Sequence, residues 1–229
     1  MQFSTLLNLA ALVATAAAIP QPTSSVFMLD PKNFQPASTM NGKVGAGKPG
    51  HTLTNGSQNH HGSCNGIVMG EIPAKANMVS TIITYPAPGE VLAPKTTFTV
   101  KINVRNFVPG SFTNPDTTYY SAPQMLKDGK VLGHVHIVIQ KLGDDNWAAT
   151  NALDATGFAF FKGINDAGDG NGNLQTEVGG GLGPGFYRVC TMASAANHQP
   201  ALMPVAQRGA QDDCTKFSVK KVGGSVDSC

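Results

Sequence analysis

The sequence predicts an all-β protein, an antiparallel sandwich of immunoglobulin or fibronectin III character with an extended N-terminal arm. Three observations carry that expectation. Apolar residues alternate with polar ones in about eight short runs, the period of half-buried strands. Turn formers separate the runs, with 26 glycines and 15 prolines among 229 residues, a balance that favours β structure over helix. No stretch carries convincing helical amphipathicity, and no fixed-period repeat points to a solenoid or propeller.

Residues 1–18 read as a secretory signal peptide, a short apolar segment closing on Ala16-Ala17-Ala18, with cleavage expected after Ala18. The segment is too short to span a bilayer, and no later run approaches the length of about 20 residues that a spanning helix needs. An exported protein of about 210 residues follows, enough for one sizeable core. Residues 19–63 are rich in Pro, Gly, Ser, Thr and Asn and read as an extended or disordered arm. His51, His60 and His61 lie in it, where solvation is their ordinary fate.

Residues 64–229 are expected to form the sandwich. Ser80–Tyr85 reads as a strand, ended by the turn cluster Pro86-Ala87-Pro88-Gly89. Thr96–Arg105 is the cleanest alternation: Phe98, Val100, Ile102 and Val104 face one way, and Thr97, Thr99, Lys101, Asn103 and Arg105 the other. A long loop from Phe107 to Gln124 carries Tyr119 and Tyr120. Gly133–Gln140 is the next strand, followed by Phe158–Phe161, Leu174–Val178, Phe186–Met192, Leu202–Ala206 and Thr215–Lys220.

Net charge is +2, and charged residues make up 13% of the chain. So small a balance argues neither for nucleic acid nor for an anionic membrane surface, and no nucleic-acid partner is expected. Four cysteines in an exported chain imply two disulfides, with three pairings open. Cys190 and Cys214 each sit on the parity opposite their strand's apolar residues, which favours a 190–214 bridge and leaves Cys64 for Cys229. Asn55-Gly56-Ser57 is an N-glycosylation acceptor.

The Gly133–Gln140 strand holds the chemistry. Val135, Ile137 and Ile139 share one face; His134, His136 and Val138 share the other. The strand rise places the two imidazoles roughly 6–7 Å apart, and His198 in Ala195-Ala196-Asn197-His198-Gln199-Pro200 is a third. Neutral imidazole is a ligand for zinc and copper, so His134, His136 and His198 form a candidate metal site. The bland alternative is a polar network holding the Asn197–Pro200 corner to the strand.

Other constellations are weaker. Cys190, His198 and Met203 follow the order of a blue-copper site, but seven residues separate Cys from His and a disulfide would remove the thiolate. The Asp166–Asn173 loop fails the EF-hand pattern, with Leu174 at the required glycine and Gly180 at the bidentate glutamate, so a hairpin turn is expected. No helix follows the Gly179–Gly183 run, so no phosphate cradle is implied. No nucleophile elbow and no His-Glu-x-x-His stretch is present, and no carboxylate pair stands out. Tyr119, Tyr120 and Trp147 are candidates for an aromatic binding platform.

Laid end to end, several stretches resemble a family of uncharacterised secreted proteins of filamentous fungi, some of them mislabelled as a ribosomal protein. They are Met69–Pro73, Phe112–Asp116, Tyr120–Gln124, Gly133–His136, Phe158–Asp166, Gly183–Arg188, Ala195–Pro200 and Val205–Gly209, between about Cys64 and Lys220. The Gly-His-x-His strand, the Gly-Pro-Gly turn and the Asn-His-x-Pro corner are also similar to a small bacterial β-sandwich domain of unknown function. Both resemblances carry His134, His136 and His198 together. The fungal pattern often has histidine at position 208; Arg208 here departs from it and weakens any four-ligand site. The resemblance implies an extracellular or cell-wall protein of a mould, active at a host or substrate surface. With no clear enzymatic machinery among the residues, the expectation is a non-enzymatic, virulence-associated protein whose partner is an unidentified host or wall component. The alternatives are an extracellular copper- or zinc-binding protein built on the three histidines, and an enzyme with an unrecognised site.

Overall fold

The structure, a computed structural model, describes residues 52–143 and 147–220. The expected signal peptide, most of the expected arm and Cys229 lie outside those residues.

Among the described residues, ten strands and a 3-10 turn at Lys75–Asn77 make the fold. The smaller sheet has three strands in the order β1 (Ser80–Tyr85), β3 (Phe98–Arg105), β8 (Asn173–Val178), all antiparallel. The larger runs β2 (Val91–Leu92), β10 (Cys214–Val219), β9 (Gly185–Ala195), β6 (Lys130–Gly143), β4 (Phe107–Val108), with β5 (Leu126–Lys127) and β7 (Phe160–Ile164) also paired to β6. The strict antiparallel expectation is corrected here, because β2 runs parallel to β10 and β4 parallel to β6. Each parallel strand is only two residues long, too short for periodicity to reveal it in the sequence.

One apolar core lies between the sheets. Val100, Ile102, Leu174 and Val178 from the small sheet meet Val135, Ile137, Val189 and Phe217 from the large one. Val135, Ile137 and Ile139 are fully buried, as the alternation of that strand predicts. The histidine strand is longer than expected, and it is the centre of the larger sheet, flanked by β9 and β7.

One expected strand is absent. Leu202–Ala206 runs as irregular chain: Pro204 has no N–H to give a ladder, and the Leu202 N–H donates instead to the Gln124 side chain. Cys190 and Cys214 face each other in register on β9 and β10 and form a disulfide. Cys64 is half-buried and makes no disulfide among the described residues. The last stretch of the expected arm lies against the domain: the Tyr119 N–H donates to the Gly56 carbonyl, and Thr54 is buried.

Candidate metal centre

The outward face of β6 is covered, and the cover makes the site. Two loops fold over it. The first, after β4, ties down through Ser111 N–H to Gly133 O and Thr113 N–H to Ala196 O. The second is the 195–201 corner, closed by His198 N–H to Ala195 O, Ala195 N–H to Gln199 O and Ala201 N–H to Ala193 O. Asn197 joins the two loops: its side-chain amide donates to Ala122 O, and its carbonyl accepts from Gln199 N–H. The corner sets His198 at a φ of 71°, a left-handed conformation uncommon outside glycine and held here by its surroundings.

Two glycines seat the histidine strand. A Cβ on Gly133 would stand 1.9 Å from the Ser194 carbonyl oxygen of β9, so the residue before His134 has to lack one. Gly163 pairs with His136 across β7; a Cβ there would come 3.3 Å from the His136 ring.

The three histidines converge. His134 is fully buried, its Nε2 3.1 Å from His136 Nε2 and 3.1 Å from His198 Nδ1. One nitrogen from each ring falls within a 4.8 Å group. With metal–nitrogen bonds of about 2.0–2.1 Å, the two 3.1 Å chords from His134 subtend roughly 100°. The His136 and His198 nitrogens, within 4.8 Å of each other, must stand no more than about 4.2 Å apart for one ion to reach all three.

Backbone carbonyls fix the protons. A carbonyl only accepts, so His134 Nδ1 carries a proton toward Ser111 O at 3.2 Å, and His198 Nε2 toward Thr113 O at 2.8 Å. In a neutral imidazole the other nitrogen is then bare. His134 Nε2 and His198 Nδ1 therefore meet as two lone pairs at 3.1 Å. His136 has one proton to offer and cannot satisfy both. A cation placed between the rings would resolve the conflict, and carbonyl partners of this kind can orient metal-binding histidines.

Electrostatics keeps the donors neutral. Burial first, then the neighbouring His136 and His198, lowers His134 to about 3. Burial, then His198, lowers His136 to about 4, and burial lowers His198 against the opposing pull of its bond to Thr113. Near pH 7 the two with values that low are in the form that binds metal.

A cleft of about 450 Å³ opens onto His136 and His198. Tyr119, Tyr120, Phe161 and Met192 wall it. Tyr119 and Tyr120 stack at 4.1 Å between centroids, Tyr119 lies 5.6 Å from His198, and Phe161 stacks on His136 at 5.2 Å. Burial above all, helped by Tyr120, raises the Tyr119 phenol well above its ordinary range.

The other candidates fall elsewhere. Trp147 packs edge-on against Phe186 and takes no part in the tyrosine platform. His60 and His61 are exposed. Arg208 is exposed on its own loop, bonded to Val205 O and Gln211. The blue-copper arrangement is excluded: Cys190 is spent in the disulfide, and Met203 packs against the core. A second cleft, of about 540 Å³, borders the Asp166–Asn173 loop, but there Asp166 accepts from Gly168 N–H and Asp169 from Asn171 and Asn173, which is turn chemistry. The expected hairpin is corrected, because β7 pairs with β6 and β8 with β3, so the loop crosses between the sheets. Asn55 is exposed, its side-chain oxygen accepting from Ser57. The carbonyls of Ser111 and Thr113 left no trace in the sequence, because any residue supplies a carbonyl.

The model of the CLU5d N-terminal domain matches residues 81–220, a span that holds all three histidines. A "Pathogenicity cluster 5 protein d" of Colletotrichum graminicola is 60% identical over 171 residues, 74% of this chain and 36% of that protein. The chain thus spans little more than a third of the curated relative it matches. No solved structure matches it. With the matched model covering well over half of its length, the chain belongs to the CLU5d N-terminal domain family.

Proposed function

We propose that this chain is an extracellular metal-binding protein, holding copper or zinc on His134, His136 and His198, and that it serves a fungus in host or surface interaction. One observation carries the metal: the two facing lone pairs on His134 and His198, each fixed by a backbone carbonyl. A purely structural network would be expected to pair a donor with an acceptor there. The metal would sit partly buried at the floor of the aromatic cleft.

The virulence association is supported by the name of the Colletotrichum graminicola relative, a pathogenicity cluster protein. Secretion rests on the apolar N-terminal segment, and among the described residues no helix is long and apolar enough to cross a membrane. The immunoglobulin or fibronectin III relation belongs to the same reading; it rests on two sheets facing across one core.

The role is tested by deleting the gene and complementing with wild type or with His134→Ala plus His198→Ala. The reading expects wild type alone to restore infection, with both proteins secreted equally. Full restoration by the double variant contradicts it.

A further inference from the structure

We propose that the resident ion is copper in its monovalent state, with the Met192 thioether as the fourth ligand beside the three imidazoles. The inference rests on the metal reading above and goes beyond it by naming the ion and one more ligand.

Met192 opposes His136 in register across β6 and β9. Directly opposed residues on antiparallel strands project from the same face, with Cβ atoms about 4.5–5.5 Å apart, within reach of a flexible thioether. On β9, Tyr187, Val189, Ala193 and Ala195 are buried in the core; on the opposite parity Cys190 and Ser194 are buried too, while Met192 is 38% exposed on the outward face. It lines the same cleft as His136 and His198. A large apolar side chain left that exposed beside the half-buried His136 is not core filler.

Charge points the same way. Among the described residues, the grouped donors are His134, His136 and His198, with no carboxylate joining them. Asp212 also borders the cleft; its Oδ1 accepts from the Ala193 N–H and the Thr191 hydroxyl, and the residue does not join the histidine group. A wholly neutral donor set leaves the ion's charge uncompensated in a half-buried site, and the desolvation cost rises steeply with charge. A monovalent ion is favoured over a divalent one. A thioether is a soft ligand that selects monovalent copper, and it offers zinc little.

The test uses the full secreted chain, stripped of metal, with Met192→Leu and His134→Ala. Leucine conserves volume at this exposed position, so folding is retained, and far-UV dichroism of the metal-free proteins confirms it. Copper(I) affinity is measured anaerobically against a chromogenic chelator, and zinc affinity by a parallel competition. The expected result is one copper(I) per wild-type chain, with affinity reduced at least about tenfold in Met192→Leu and zinc affinity unchanged by that substitution. X-ray absorption should show a sulfur neighbour of copper that Met192→Leu removes. Equal copper(I) affinity in Met192→Leu, or a nitrogen-only shell in wild type, overturns this inference while leaving the histidine site standing. Wild type that binds neither ion, or His134→Ala that binds both as wild type does, overturns the metal reading itself.

Discussion

In Gly133→Ala the added Cβ would stand 1.9 Å from the Ser194 carbonyl oxygen and 3.0 Å from the Ala195 Cα. Real Cβ atoms do not approach closer than about 3.0 Å, so β6 and β9 must part by more than about 1 Å, roughly a quarter of the normal strand spacing. Both sides of the clash are backbone, so no rotamer relieves it. Overpacking of this kind costs about 1–3 kcal/mol. Parting also strains the adjoining bonds of Ser111 N–H to Gly133 O at 3.0 Å and Ala196 N–H to Leu132 O at 3.1 Å, each worth about 1 kcal/mol. The total is roughly 3–5 kcal/mol. Gly143, at the far end of the same strand, has nothing within 4 Å of its Cβ position, and alanine there should change stability by less than about 1 kcal/mol. Urea unfolding of both variants, followed by tryptophan fluorescence and dichroism, measures the difference. Equal midpoints for Gly133→Ala and Gly143→Ala would refute the account of how the histidine strand is seated.

Three further expectations follow from the same contacts. Metal-free protein should lose stability on acidification: with folded values of about 3 and 4 for His134 and His136, below the ordinary 6.5, their contribution is complete above about pH 6.5 and fades as pH falls toward those values. From pH 7 to 5 each costs about 2 kcal/mol, and His134→Gln plus His136→Gln should flatten the slope; equal slopes for wild type and variant would count against it. Replacing Cys190 and Cys214 with alanine opens a loop of sequence separation 24 and should cost about 3–4 kcal/mol on the chain-entropy model, read from denaturant midpoints; an unchanged midpoint contradicts it. Protein secreted by a fungal host should lose a glycan mass on amidase treatment, and Asn55→Gln should abolish that loss; a persisting loss places the glycan elsewhere.

Much of the fold was legible because period-2 burial is a strong local signal. Phe98–Arg105 and the Val135, Ile137, Ile139 face came out as the alternation required. The two-residue strands did not, since Val91–Leu92 and Phe107–Val108 are fixed by long-range pairing. Leu202–Ala206 misled because its apolar content outweighed Pro204. At the site, the histidine pair on one strand face and its link to His198 were readable. The carbonyls that set the tautomers were not, because they depend on where the loop after β4 lands. Met192 was equally hidden: its place beside His136 follows from the β6–β9 register, which no local pattern encodes.

The most direct test of the central claim is the metal content of untagged wild-type protein after loading and exhaustive dialysis, beside His134→Ala, His136→Ala and His198→Ala. The account predicts one ion per wild-type chain and almost none in His134→Ala, whose nitrogen lies 3.1 Å from both others. Wild type that retains no ion, or a His134→Ala chain that retains as much as wild type, would contradict it.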